Sequence, residues 1–260
     1  KMVGFGLVPQ TRVKEERVEY LLRYFGVASP AQWESRYSQL QGAAREANHI
    51  QSELGDFSAW LRAGEIKAQR MSTEPYSPQA FRDALTTIRG LTRQNPARVW
   101  PEVIKLCAQA GVSVVLVPEL PKTHVFGFTR WLSKDKALMQ LSLRYKTDDM
   151  LWFTFFHEAA HILLHGKKEG FLEMRNVDSP KEQEANRWAS DFLIPSAIWK
   201  QFLVSVPPKP TANMIQTFAR RVGVANSIVL GRLQYREKRV GPGQFNSMKH
   251  RLEIQWTGLD

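Results

Sequence analysis

The sequence has a single cysteine, Cys107, in 260 residues. That excludes an internal disulfide and points to a reducing compartment. It has no run near the roughly 18 consecutive apolar residues that a membrane span needs. Its longest apolar blocks, Val112 to Val117 and Leu151 to Phe156, each contain a hydroxyl residue. No charged N-terminal region leads into an apolar one, so a secretory signal is not expected. The expectation is a cytoplasmic protein without membrane association. There is no internal repeat and no low-complexity tract. Position 1 is Lys rather than Met, which predicts a trimmed chain or a fragment.

What is present is ordinary in amount and uneven in placement. Hydrophobic residues make up 43% and charged residues 23%, close to a typical soluble domain and sufficient for a core. The length suits one large domain or two small ones. The net charge of +11 divides into blocks. Residues 71–146 carry 11 positive and 5 negative groups, and residues 201–260 carry 9 and 3. Between them, residues 147–200 carry 6 positive and 9 negative groups and three of the six histidines. A basic surface is one signature of nucleic-acid binding, and a solvated charged face is the plainer reading.

Periodicity divides the chain further. Val13, Val18, Leu21, Leu22 and Phe25 form one stripe of a helix over residues 12–26, closed by Gly26. Shorter helical patterns follow around Trp33 to Leu40 and Phe57 to Ala68. The turn-rich stretch from Met71 to Pro78 reads as a linker, which separates a helical connector at 1–76 from a main domain at 77–260. Ser77-Pro78 and Asn95-Pro96 open two helices, each with Pro at its first position, and Gly111 closes the second. Strands are predicted at Val112 to Val117, Phe126 to Leu132 and Ala137 to Tyr145, the last two joined through residues 133–136 as a hairpin. Helical residues return after Asp148 and continue to the C-terminus. Helices, a small sheet and helices again make an α+β architecture.

The sharpest feature is His157-Glu158-Ala159-Ala160-His161, a pattern that chance supplies in about one chain per hundred of this composition. Asp148 is expected to cap a helix running into it and Gly166 to end that helix. Two histidines four apart share a helix face, with Cβ atoms about 6 Å apart, a spacing that suits one tetrahedral zinc. Glu158, beside them, is placed to take a proton from an attacking water. A pair of capped or exposed histidines is the alternative. A metzincin-type third ligand is excluded, because residues 164 and 167 are Leu and Lys. His165 lies about 12 Å along the axis from His157 and is read as a cap or supporting group.

A third ligand must then come from elsewhere. Ser179-Pro180-Lys181-Glu182 reads as a capping box that opens a helix through Ala185, Trp188, Ala189, Phe192 and Leu193. Among its acids, Glu182 is assigned to the Ser179 amide. Glu184 is preferred over Glu182 and Asp191 as the third ligand, because it adjoins the apolar stripe.

The segments Phe153 to His165, Glu184-Ala185-Asn186-Arg187-Trp188-Ala189, Leu193-Ile194-Pro195 and Ile228 to Gln234 together resemble the ImmA/IrrE family of metallopeptidases, over about residues 77–256. The resemblance implies a minimal, gluzincin-like zincin fold with a small, mostly antiparallel sheet. It implies Zn2+ held by His157, His161 and Glu184, with Glu158 as general base. Members of that family cleave a helix-turn-helix repressor and so release its genes, in phage or mobile-element induction or in a stress response. Residues 26–62 resemble the connector of members that carry an N-terminal helix-turn-helix domain, often described as antitoxin-like regulators. A DNA-binding regulator with a latent or sensing zincin body is therefore the alternative function. A basic hairpin at about 211–239, where Ala219, Gly223 and Val229 resemble a helix-turn-helix, carries Arg232, Arg236, Lys238 and Arg239. DNA contact there or through such a missing domain is one reading, and a hairpin packed on the sheet with its arginines outward is the plainer one.

Overall fold

The computed structural model describes residues 1–37, 54–121, 123, 125–142, 144, 146–165, 180–253, 256, 258 and 259. The order of elements is α1 (Lys14–Phe25), α2 (from residue 30 to the edge of the described residues at 37), α3 (Leu54–Arg70), α4 (Pro78–Leu91) and α5 (Pro96–Gln109). Three strands follow, β1 (Val112–Leu116), β2 (Gly127–Ser133) and β3 (Lys136–Leu141). Helices α6 (Asp148–Leu164), α7 (Pro180–Leu193), α8 (Ser196–Ser205), α9 (Ala212–Val222) and α10 (Asn226–Tyr235) complete the set. This is an α+β fold. The predicted caps operate at α4 and α5: Ser77 accepts from the Ala80 amide and Asn95 from the Ala97 amide, each followed by Pro. Gly26 ends α1 in the left-handed region, at φ 63°.

The sheet has the order β1-β3-β2, with β3 parallel to β1 and antiparallel to β2. It is therefore mixed rather than mostly antiparallel. The hairpin accounts for one pairing, and β1 reaches β3 from the same direction. Both faces are covered, which the alternation along β3 makes possible. Ala137, Met139 and Leu141 enter the core shared with α4 to α10, while Leu138 enters a second core built mainly from α1 and α3. Gln140 points to the α3 side and donates to the Trp60 carbonyl, 2.7 Å. Trp60 in turn donates from its indole nitrogen to the Val117 carbonyl, 3.0 Å. Residues 72–77 run as an extended strap, hydrogen-bonded from Glu74, Tyr76 and Ser77 to the turns beside β1 and β3. The linker predicted at 71–78 falls on this strap.

Two features differ from the sequence reading. The chain does not stay helical to its end: α10 stops at Tyr235, and residues 236–253 are irregular apart from a short 3-10 turn at Asn246–Met248. Asp148 is the first residue of α6 rather than its cap, and Thr147 holds the cap position. The Asp148 carboxylate has other partners: Oδ2 accepts from Ser227 Oγ at 2.7 Å, and Oδ1 accepts from the His250 amide at 3.0 Å. It ties α6 to α10 and to the C-terminal segment. The Gly166 stop and the Ser179 half of the predicted capping box lie outside the described residues.

The hairpin at 211–239 has the predicted turn, with Gly223 at φ 75°. Its second helix is nevertheless a core helix. Seven of the ten residues of α10, Ser227 to Gly231 with Leu233 and Gln234, are buried, and the helix packs on α6. Arg232, expected on a basic outer face, donates from Nη1 to the carbonyls of Ser190 and Ile194, both 3.1 Å. Arg89 on α4 does the same for Phe192, Leu193 and Val222. These two guanidiniums bond carbonyls at the C-terminal ends of α7 and α9, and so tie α7 to α4 and α10.

A candidate metal centre between α6 and α7

Helix α6 is buried along nearly its whole length, from Asp148 to Ile162, because its aromatic residues pack on the sheet, on α7 and on α10. Its histidines cannot turn to water and must find partners within the protein. His157 and His161 face α7, with Nε2 atoms 3.0 Å apart. The two oxygens of Glu182 meet them, Oε2 at 3.1 Å from His157 Nε2 and Oε1 at 3.1 Å from His161 Nε2. These three residues offer ligand atoms within 4.8 Å of one another. Ligand atoms bonded at about 2.0–2.1 Å to one tetrahedral ion lie about 3.3 Å apart, so the set is the right size for a metal ion.

It is Glu182, and not the expected Glu184, that lies beside the two histidines. The structure brings Glu182 to the histidines, and Glu182 is buried. It places Glu184 on the outer side of α7, with a side chain 54% exposed, where Oε2 lies 3.3 Å from His165 Nε2. The reason is helical geometry. Ala185 and Ala189 lie three and seven residues after Glu182, on the same face, whereas adjacency to Ala185 turns Glu184 about 100° away from it. The spacing to the apolar stripe contained this signal, and the capping-box reading hid it.

Hydrogen bonds behind the two rings decide which atoms face inward. Asn186 Oδ1 lies 2.9 Å from His157 Nδ1 and accepts its proton, so Nε2 presents a lone pair. At the other ring, His165 donates from Nε2 to Glu184 and accepts at Nδ1 from His161 Nδ1, 2.8 Å away. His161 Nε2 then presents a lone pair as well. Burial and the neighbouring His161 both hold the His165 pKa below its ordinary value, consistent with a neutral ring in that relay. Two lone pairs and a carboxylate at about 3 Å, in a buried site, repel one another unless a cation lies among them. Outer partners that fix the tautomers of metal-binding histidines are the usual arrangement.

Glu158 stands apart from that group. It is 1% exposed, and its Oε2 accepts from Thr129 Oγ1 at 2.8 Å. The carboxylate lies against the start of β2, where Gly127 makes room: a Cβ there would sit 2.5 Å from Glu158 Oε1. Strand β2 is the outer strand of the sheet, so Glu158 sits between the metal-binding face of α6 and a sheet edge. Thr129 and Asn186 were not anticipated from the sequence. Asn186 was legible as the residue four after Glu182 on one helix face. Thr129 has no local signal, because only the packing of α6 on β2 brings it to Glu158.

Among the described residues, no helix is long and apolar enough to cross a membrane. No curated protein matches the chain. Residues 108–234 match a peptidase family model described as the IrrE N-terminal-like domain, a stretch that runs from the end of α5 to α10 and contains all three converging residues. With the His-Glu-x-x-His helix at its centre, this stretch supports an ImmA/IrrE family metallopeptidase.

Proposed function

We propose that the protein is a zinc-dependent endopeptidase whose substrate is a helix-turn-helix transcriptional repressor, cut in the cytoplasm to release the genes that the repressor controls. The observation that carries the catalytic part is the convergence of His157, His161 and Glu182 on one point, with Asn186 and His165 bonded behind the two rings. Three nitrogen and oxygen donors with no cysteine match a catalytic zinc rather than a closed structural one. The family match supports peptide-bond chemistry, and the repressor is what the family resemblance suggests as substrate.

His157, His161 and Glu182 would hold the ion. Zinc in such a site polarises a carbonyl and makes a water molecule acidic. The protein's own residues supply the rest. Glu158 removes a proton from the attacking water and passes it to the nitrogen of the departing amine, a general base that becomes a general acid. Thr129 holds the Glu158 carboxylate by donating to Oε2. The outer edge of β2 offers backbone groups to an extended peptide, as in strand addition. Asn186 and His165 keep the two rings oriented.

The test begins with elemental analysis of protein purified without added metal, where one zinc per chain is expected. Incubation with the repressor encoded beside it should yield a discrete cleavage, abolished by chelator. Glu158→Gln should retain zinc and lose cleavage by roughly 10²–10⁴-fold. Cleavage by Glu158→Gln at the normal rate would remove Glu158 from the mechanism.

A further inference from the structure

The metal centre borders a cavity of about 730 Å³ between α6, α7 and α10. Asn186, bonded to His157, lines it, as does Phe153, whose ring centre lies 6.2 Å from that of His157. Its walls include Phe126, Met150, Leu193 and Ile228. A second cavity, also about 730 Å³, lies between the start of α6 and the C-terminal segment and is lined by Arg144, Lys146, Lys249 and Arg251. The two are neighbours. A small pocket between them shares Phe126 and Met150 with the first cavity and Arg144, Lys146 and Thr147 with the second.

Charge along this surface is one-sided. Seven cations line it against two acids, Asp149 and Glu253. Asp149 is already matched by Lys249 at 2.7 Å, and Arg232 is engaged by the carbonyls that end α7. Arg144 lies over the Phe126 ring, 5.1 Å from its centre, between the two cavities. Lys146, Arg187, Arg236 and Arg251 have no carboxylate within ion-pair distance among the described residues. Cations grouped beside a concave apolar site raise the local concentration of an anionic partner and speed its capture.

We propose that this surface is a docking site for an acidic stretch of the polypeptide substrate. One large apolar side chain enters the first cavity, and carboxylates of neighbouring residues rest on the cationic lining of the second. The proposal rests on the peptidase reading of the metal centre. A peptide fits better than nucleic acid because the part nearest the histidines is concave and walled by apolar side chains, as sites for organic groups are. The helix that could have entered a DNA groove, α10, is instead buried.

The test uses the full chain carrying Glu158→Gln, loaded with zinc, so that peptides stay intact. Fluorescein-labelled 12-residue peptides with a central Phe, flanked by Glu, by Gln or by Lys, are titrated and followed by anisotropy at low and high salt. The Glu peptide is expected to bind at least tenfold tighter than the Lys peptide, with the difference shrinking as salt rises. Arg144→Glu combined with Arg251→Glu should weaken the Glu peptide at least tenfold and change the Gln peptide less than twofold. Lys146→Glu, read the same way, keeps the test decisive if the double variant does not fold.

Equal affinity for the three peptides overturns the proposal. So does an unchanged Glu-peptide affinity in the reversed variants, or duplex DNA that displaces the Glu peptide and binds more tightly. Selective binding of the Glu peptide with no cleavage by the unsubstituted chain would sink the peptidase reading and leave the docking surface standing. Efficient cleavage of the Lys peptide would do the reverse.

Discussion

Two of the places where the described residues bury charge differ in how they balance. On the α3 side of the sheet, Glu65 meets Arg130 at 2.7 Å, Arg62 at 2.9 Å and Arg36 at 3.2 Å. Burial raises the Glu65 pKa, but Arg130 and Arg62 outweigh it and hold the carboxyl below its ordinary value of 4.5. In that cluster the buried carboxylate has its counter-charges within the chain, supplied by three guanidiniums. On the other side, His157, His161 and Glu182 bring three ligand atoms within 4.8 Å of one another. The first arrangement closes α3 onto β2. The second is a group that could hold a metal ion, which a structural ion pair is not.

Removing a ligand should break this contrast most strongly. Glu182→Ala should lower zinc affinity by more than the roughly 10–100-fold typical of an outer partner, and bound zinc should fall to near zero after dialysis. Glu184→Ala, which touches only His165, should retain close to one zinc per chain. Equal loss in both would return the third ligand to an open question.

Next in size is the matched cluster. Glu65→Gln leaves the buried Arg130 without its carboxylate and should cost about 3–5 kcal/mol in urea unfolding, with zinc content unchanged. The sign with pH follows from the lowered value. The stabilisation is present above pH 4.5 and is lost as pH falls through the still lower folded value. The acid limb of the stability curve should therefore flatten in Glu65→Gln.

Asn186→Ala sharpens the tautomer account. It leaves every converging atom in place and should weaken zinc by about 10–100-fold, without a comparable loss of stability. The smallest effect belongs to Asp148, whose pKa is raised by burial although Ser227 and the His250 amide oppose the shift. A raised acid stabilises the fold below its ordinary value of 3.8, and that share disappears as pH rises through the folded value. Asp148→Asn should remove this dependence at little cost in thermal melts. Asp148→Ala should cost about 1–3 kcal/mol, because it orphans the Ser227 hydroxyl and the His250 amide.

Much of the fold was legible because its signals are local. Ser77-Pro78, Asn95-Pro96, Gly26 and Gly223 act within one turn, and the alternation of β3 follows from the two-residue period of a strand. Errors came where a residue's local role competes with a distant one. Asp148 looked like a cap and is a tether to α10. Arg232 looked like a DNA contact and satisfies carbonyls at the end of α7. Glu182 looked like the partner of a helix terminus and faces two histidines. In each case a polar side chain satisfies a group remote in sequence, and no local pattern records such a group.

The amino-acid order alone determined that two imidazoles share one face of a helix with a glutamate beside them, because the helical repeat allows no other arrangement. Which carboxylate completes the set was decided only when α7 packed against α6, since the packing of two helices sets which face of each meets the other. The same packing chose Asn186 as a partner, and the packing of α6 on β2 chose Thr129. Folding also brought basic residues from the β3–α6 connection, α7, α10 and the C-terminal segment to neighbouring cavities, because charges scattered along a chain act together only once they are within reach.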